Sequence, residues 1–214
     1  MSETRIILGV TGSVAAVKAP EIALRLVEQE GCSIRIILSQ GGRHFWDQSK
    51  TYNQEVWNRF VDRLETEELK KSAARLMILD STDEWRQWRT LGDPVMHIDL
   101  RNWADMMLVA PLSAHSLAKF RCGLCDDVLS SVVRAWDFEK PLILAPAMNT
   151  AMWDHKLTQE QLITIQKFAA DPKKVIVIDP MVKTLACGDH GKGALAPVDD
   201  IIQTAQSTLR SIGK

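Results

Sequence analysis

Tyrosine occurs once in these 214 residues and cysteine four times. Cys32, Cys122, Cys125 and Cys187 are too few and too unevenly spaced for a disulfide scaffold. That predicts reduced thiols and a cytoplasmic setting. Neither sign of charge is in excess: 26 Lys and Arg stand against 27 Asp and Glu. A net charge of −1 advertises neither nucleic acid nor an anionic membrane. Long apolar runs are missing too, none approaching the ~20 residues of a membrane-spanning helix. The first residues lead directly into a strand-like run, which predicts no secretory signal. There is no internal repeat and no low-complexity tract. What remains is ordinary globular composition, 46% hydrophobic and 25% charged, at a length that suits one domain over residues 1–214.

Short apolar runs recur at 5–10, 33–38, 106–110, 141–145 and 174–178. They are rich in Ile, Val and Leu without polar alternation, as strands buried on both faces should be. Helix-length segments separate them. Residues 14–30 place Val17, Ile22, Leu24, Leu26 and Val27 at helical spacing before Gly31, and 124–135 and 158–169 read similarly. The alternation predicts a doubly wound parallel α/β sheet. Residues 54–74 stand apart as an inserted helical segment. Val56, Trp57, Phe60, Val61 and Leu64 form one stripe, which suits a lid or a peripheral packing helix.

In an open parallel sheet, ligands sit at the carboxyl ends of strands. Gly9-Val10-Thr11-Gly12-Ser13-Val14 leaves the first strand and opens the first helix. Free N–H groups there suit a phosphate, with Thr11 and Ser13 hydroxyls as further donors. The spacing matches neither the dinucleotide fingerprint nor the P-loop, and a plain turn capped by Ser13 is the competing reading. Leu38-Ser39-Gln40-Gly41-Gly42 makes a second such exit at the same edge. Two exits side by side fit one phosphorylated cofactor better than either does alone.

The second half carries the other candidates. His97 has no local partner in the sequence, and a helix is expected at 101–105 just beyond it. Ser113, Ala114, His115 and Ser116 follow one strand, and Ala147, Met148 and Asn149 follow another. Asn149 can present an amide to a ligand, while Met148, Met152 and Trp153 make an apolar patch that serves either core or site. Cys187 lies in a glycine-rich stretch, 185–193, expected to be a mobile loop; exposed there, it would be a candidate acid or nucleophile. Cys122 and Cys125 lack a second ligand pair for zinc and are expected to be packed thiols.

With these pieces assembled, the sequence resembles the flavin-dependent cysteine decarboxylase family. The resemblance rests on Thr11-Gly12-Ser13-Val14-Ala15-Ala16-Val17-Lys18, Gly92-Asp93-Pro94-Val95-Met96-His97-Ile98 and Gly123-Leu124-Cys125-Asp126. Pro146-Ala147-Met148-Asn149-Thr150-Ala151-Met152-Trp153 and Leu185-Ala186-Cys187-Gly188-Asp189 complete it. It implies a flavodoxin-like (Rossmann-like) fold and a homotrimer binding FMN between subunits. It also implies decarboxylation of 4′-phosphopantothenoylcysteine to 4′-phosphopantetheine, in coenzyme A biosynthesis. Flavin oxidation of the cysteine thiol would create the electron sink that loss of carbon dioxide needs, and an enethiolate would then be protonated and reduced.

By the same resemblance, Gly12, Ser13, Val14, Ser39 and Gln40 would hold the FMN phosphate and ribityl chain, and Ser113, Ala114, His115, Ser116 and Ala147 would line the flavin. His97 would be the catalytic base, acting across the interface with Asn149 and Cys187 of a neighbour. Asn149 would grip the substrate carboxylate, Cys187 would donate a proton, and Thr184, Leu185 and Ala186 would form the substrate clamp. No metal is implied. The family's usual Pro-x-Ser-Ala-Asn-Thr reads Pro111-Leu112-Ser113-Ala114-His115-Ser116 here, with imidazole in place of amide.

Two further readings use the same fold. One is an FMN-binding regulatory subunit of the halotolerance type that inhibits protein phosphatase one. In fungal forms of that kind the His and the Asn–Cys pair can be divided among paralogues, whereas His97, Asn149 and Cys187 occur together here. The long acidic tail of those inhibitors is also missing. The other is a decarboxylase of a peptide's C-terminal cysteine.

Overall fold

The structure, a computed structural model, describes residues 3–68, 75–184, 188 and 190–213. The five apolar runs become strands β1 (Arg5–Val10), β2 (Ser33–Leu38), β4 (Met106–Leu112), β5 (Leu142–Pro146) and β6 (Val175–Val177). Between β2 and β4 lies a strand the sequence reading lacks, β3 (Leu76–Leu79). All six form one sheet in the order β3-β2-β1-β4-β5-β6. Every pairing is parallel, with Ile6 opposite both Ile34 and Met106. The strand order thus reverses between β1 and β4, which is where such sheets open a crevice for ligands.

Both faces of the sheet are covered, which is why its central strands read as unbroken apolar runs. On one face Ile6, Leu8, Ile34, Ile36, Met106 and Leu108 pack under α1 (Ala19–Glu30) and the amphipathic α11 (Val198–Ser211). On the other, Ile7, Met107, Val109 and Leu144 pack under α6 (Met96–Trp103), α7 (Ala114–Cys122), α8 (Val128–Arg134) and α10 (Lys156–Gln166). Among the described residues no helix is long and apolar enough to cross a membrane.

Several boundaries differ from the expectation. The 14–30 segment divides into a 3-10 turn, Val14–Lys18, and then α1, whose first turn contains Pro20. Proline suits a first turn, where its missing N–H is not needed. Gly31, with φ of 63°, ends α1 in the left-handed cap its position suggests. The 124–135 segment shortens to α8 because Asp127 caps it, accepting the Ser130 N–H at 2.7 Å. The helix expected at 101–105 instead begins at Met96, so His97 sits in its first turn.

The inserted segment gives α4 (Gln54–Glu68), preceded by α2 (Gln40–Trp46) and α3 (Ser49–Tyr52). It packs rather than covers: Phe60 is 1% exposed and meets Trp46 edge-on at 5.3 Å, on the core beneath α1. Part of the stretch expected to be a glycine-rich loop is ordered instead. His190–Ala194 forms β8, paired antiparallel with β7 (Met181–Thr184).

Candidate active site

At the β1 exit the backbone turns sharply through Thr11 and Gly12. Thr11 differs from its expected role. Its side chain is fully buried, with Oγ1 donating to the Pro111 carbonyl at 2.9 Å and accepting the Ser113 N–H at 2.7 Å. The hydroxyl therefore ties β1 to the end of β4 across the reversal and offers nothing to a ligand. Ser13 follows the competing reading, its hydroxyl accepting the Ala15 N–H as a cap at the start of the 3-10 turn.

The β2 exit lies directly against this turn. A Cβ on Gly41 would stand 2.9 Å from the Gly12 Cα, and one on Gly42 only 2.1 Å from the Val10 carbonyl. Glycine at both positions lets the two turns touch backbone to backbone. Ser39 accepts the Gly42 N–H at 3.1 Å to cap α2, and Ser113 accepts the Ser116 N–H at 3.2 Å to cap α7. Three serine-capped chain starts thus converge on one edge of the sheet, a setting that favours negative charge.

Two adjoining cavities open there, sharing Gly12, Ser113 and His115. The first, of about 620 Å³, is lined by Ser39, Gln40, Ser116 and the charged groups Arg43, Asp80, Lys119, Asp126 and Asp127. Its cations are already neutralised. Arg43 pairs with Asp80 at 2.6 Å, and Lys119 with Asp126 at 2.7 Å and Asp127 at 3.0 Å. Burial works against the Lys119 charge, but its bonds to Asp126 and Asp127 hold its pKa above the ordinary lysine value.

The second cavity, of about 540 Å³, is mainly apolar, with Ser13, Val14, Ala114, Ala147, Met148, Asn149, Met152 and Thr184 on its walls. Asn149 Oδ1 accepts the Ala151 N–H at 2.8 Å and caps α9 (Thr150–Trp153). The hairpin is pressed onto this turn. Met148 N–H donates to the Gly193 carbonyl at 2.9 Å, and a Cβ on Gly193 would meet the Met148 carbonyl at 2.3 Å. That contact places Thr184 of β7 in the same cavity as Asn149. Of the apolar patch, Trp153 is core, at 6% exposure, whereas Met148 and Met152 face the cavity. Leu185, Ala186 and Cys187, which connect β7 to β8, lie outside the described residues.

Together the two cavities take in Gly12, Ser13, Val14, Ser39, Gln40, Ser113, Ala114, His115, Ser116, Ala147, Asn149 and Thr184. A phosphate against capped chain starts and a flat apolar body beside Ala114, Ala147 and Met148 suit this shape, so the residues present fit a flavin mononucleotide. His97 is elsewhere. It lines a third cavity with Glu84, Trp85, Trp88, Cys125 and Arg134, and no residue is common to it and the cavity of Asn149.

Sequence reasoning missed the partner of His97. Glu84, on α5 (Ser81–Gln87), brings Oε1 within 2.6 Å of His97 Nδ1 across thirteen residues. It missed the packing state of two cysteines as well. Cys122 and Cys125 are exposed, because Gly123 ends α7 in the left-handed conformation and turns the chain outward. Among the described residues no cluster of metal-ligating side chains occurs.

The comparisons agree with this geometry. The Flavoprotein family matches residues 1–210. Phosphopantothenoylcysteine decarboxylase of Mus musculus is 39% identical over 209 residues, covering 98% of this chain and 89% of its own. A PPC decarboxylase cysteine-to-serine mutant complexed with pantothenoylaminoethenethiol superposes with a TM-score of 0.79, at 33% identity over 98% of this chain and 100% of that one. The FMN binding protein AtHal3 superposes with a TM-score of 0.76, at 34% identity over 98% of both chains. The chain belongs to the flavoprotein family, among the phosphopantothenoylcysteine decarboxylases.

Proposed function

We propose that this protein is an FMN-dependent enzyme that decarboxylates 4′-phosphopantothenoylcysteine to 4′-phosphopantetheine in coenzyme A biosynthesis. The observation that carries the reading is the pair of adjoining cavities at the β1/β4 reversal, which bring phosphate-suited chain starts and Asn149 to one edge of the sheet through the shared Gly12, Ser113 and His115. In this reading Gly12, Ser13, Val14, Ser39 and Gln40 hold the cofactor's phosphate and ribityl chain. Ser113, Ala114, His115, Ser116 and Ala147 line the flavin. FMN, when bound, supplies the two-electron oxidation of the thiol-bearing carbon and its later reversal.

The chain's own groups do the rest. The Asn149 side-chain amide donates to the substrate carboxylate and orients it, and the apolar wall of Met148 and Met152 excludes water as carbon dioxide leaves. His97 takes the thiol proton at the start. Cys187 returns a proton to the carbon that lost the carboxylate, and Thr184, Leu185 and Ala186 serve as the substrate clamp. The separation of His97 from the Asn149 cavity supports a homotrimer in which His97 of one copy serves the cavity of the next. A lone chain would be inactive.

Parallel assays of phosphopantothenoylcysteine and of a peptide ending in cysteine test the substrate. Turnover of the first alone is expected. Turnover of the peptide alone would move the activity to peptide decarboxylation. Inactivity on both, with FMN bound, would favour the regulatory role.

A further inference from the structure

Of the four Lys and Arg side chains that line the two cavities, two have carboxylate partners and two do not. Lys18, half-buried at the end of the 3-10 turn, and Lys183, exposed on β7, both line the cavity of Asn149. Arg43 and Lys119 in the neighbouring cavity are each in an ion pair, and Lys192 on β8 is held by Asp179 at 2.9 Å. Among the described residues neither Lys18 nor Lys183 has such a partner. The two ammonium groups share the walls of one cavity. Burial first, and then the charge of Lys183, lower the pKa of Lys18, with Glu21 pulling weakly the other way. Two cations lining one cavity are both served by an anion between them.

The wall beside them comes from the chain just before the inserted segment. Tyr52, the only tyrosine of the chain, ends α3 just before α4 and lines the same cavity while remaining 56% exposed. α3 packs against the 3-10 turn that carries Lys18.

We propose that Lys18 and Lys183, flanked by Tyr52, form an anion subsite at the outer mouth of the Asn149 cavity, which takes the phosphoryl end of the substrate. This rests on the function proposed above and names how its substrate is selected. A phosphate monoester carries about −1.5 to −2 charges at neutral pH, which two ammonium groups match. The cofactor's phosphate is the other source of that chemistry. The geometry favours the substrate, because both lysines share their cavity with Asn149 and Thr184; Ser13 and Val14 of the cofactor site line that cavity too, so the experiment carries a separate arm for each source.

The test titrates the FMN-loaded full chain with 4′-phosphopantothenate and with pantothenate by calorimetry, and the cofactor-free chain with FMN and with riboflavin. The expected result is a preference of about tenfold or more for phosphopantothenate, lost in Lys18→Gln and Lys183→Gln and restored in Lys18→Arg. The same variants should keep the preference for FMN over riboflavin. Equal binding of the two pantothenates, or a preference that survives both substitutions, would overturn the subsite. Loss of the FMN preference alone would also overturn it, by assigning the lysines to the cofactor. Phosphate selection without any decarboxylation would uphold the subsite and contradict the proposed reaction.

Discussion

Glu84 Oε1 lies 2.6 Å from His97 Nδ1, and the same oxygen accepts the His97 peptide N–H at 3.4 Å. A carboxylate can only accept, so this contact keeps a proton on Nδ1 and leaves Nε2 as the basic nitrogen. Both side chains are partly buried, at 16% and 29% exposure, so the pair holds its geometry while Nε2 can still reach a ligand. Glu84→Gln replaces that acceptor by an amide that can also donate. Turnover is expected to fall roughly 10–100-fold, as when a histidine loses its orienting partner. Flavin content should not change, since Glu84 is not on either cofactor cavity. Steady-state kinetics beside flavin absorbance check both, and long-range ¹H–¹⁵N spectra would report the lost tautomer preference.

Thr11→Val keeps the shape of a fully buried side chain and removes its hydroxyl. The Ser113 N–H then loses its acceptor and Pro111 one of its donors. The expected cost is about 1–3 kcal/mol of stability, the range for an orphaned buried polar group. Because the lost contact spans β1 and β4, FMN affinity should weaken as well. Denaturant unfolding and flavin titration measure the two effects.

Phe60→Ala opens a hole between α4 and the core. A loss of about 3–5 kcal/mol is expected, the usual range for a buried Phe reduced to Ala. A lid would behave otherwise, with altered substrate binding and an unchanged midpoint. Thermal unfolding beside KM separates these.

Asp80 links two site elements, bonding Arg43 of α2 at 2.6 Å and capping α5 through the Thr82 N–H at 2.8 Å. Burial pushes its pKa up, but the hydrogen bonds from Arg43 and Thr82 outweigh that and hold it below the ordinary carboxylate range. A depressed folded value stabilises the native state above the unfolded pKa of about 3.9 and is lost as pH falls through the folded value. Asp80→Asn should therefore lower the melting temperature at neutral pH. Its difference from the wild type should shrink as pH drops below about 4. Melting curves across that range give the comparison.

The parts of the fold written in continuous apolar runs were legible. β1 and β2 emerge with their bounds intact, because burial on both faces leaves the sequence no reason to alternate. β3 was not, since it is four residues long and three of them are only partly buried at the sheet's edge. The β7–β8 hairpin was hidden by its glycines. Gly191 and Gly193 read as a loop, yet they are there because Thr150 and the Met148 carbonyl leave no room for a Cβ. The candidate site was legible wherever a motif directly follows a strand, as at Gly12, Ser113 and Asn149. Contacts made across the fold, such as Glu84 with His97 or Thr11 with Ser113, leave no local pattern.

The most direct test of the central claim follows carbon and electrons together. Purified protein with bound FMN is mixed without oxygen or added reductant with 4′-phosphopantothenoylcysteine labelled in its carboxylate. The account predicts labelled carbon dioxide and 4′-phosphopantetheine in equal amounts, with the flavin oxidised again at the end. Carbon dioxide without the pantetheine product, a requirement for external reductant, or no carbon dioxide at all would contradict it.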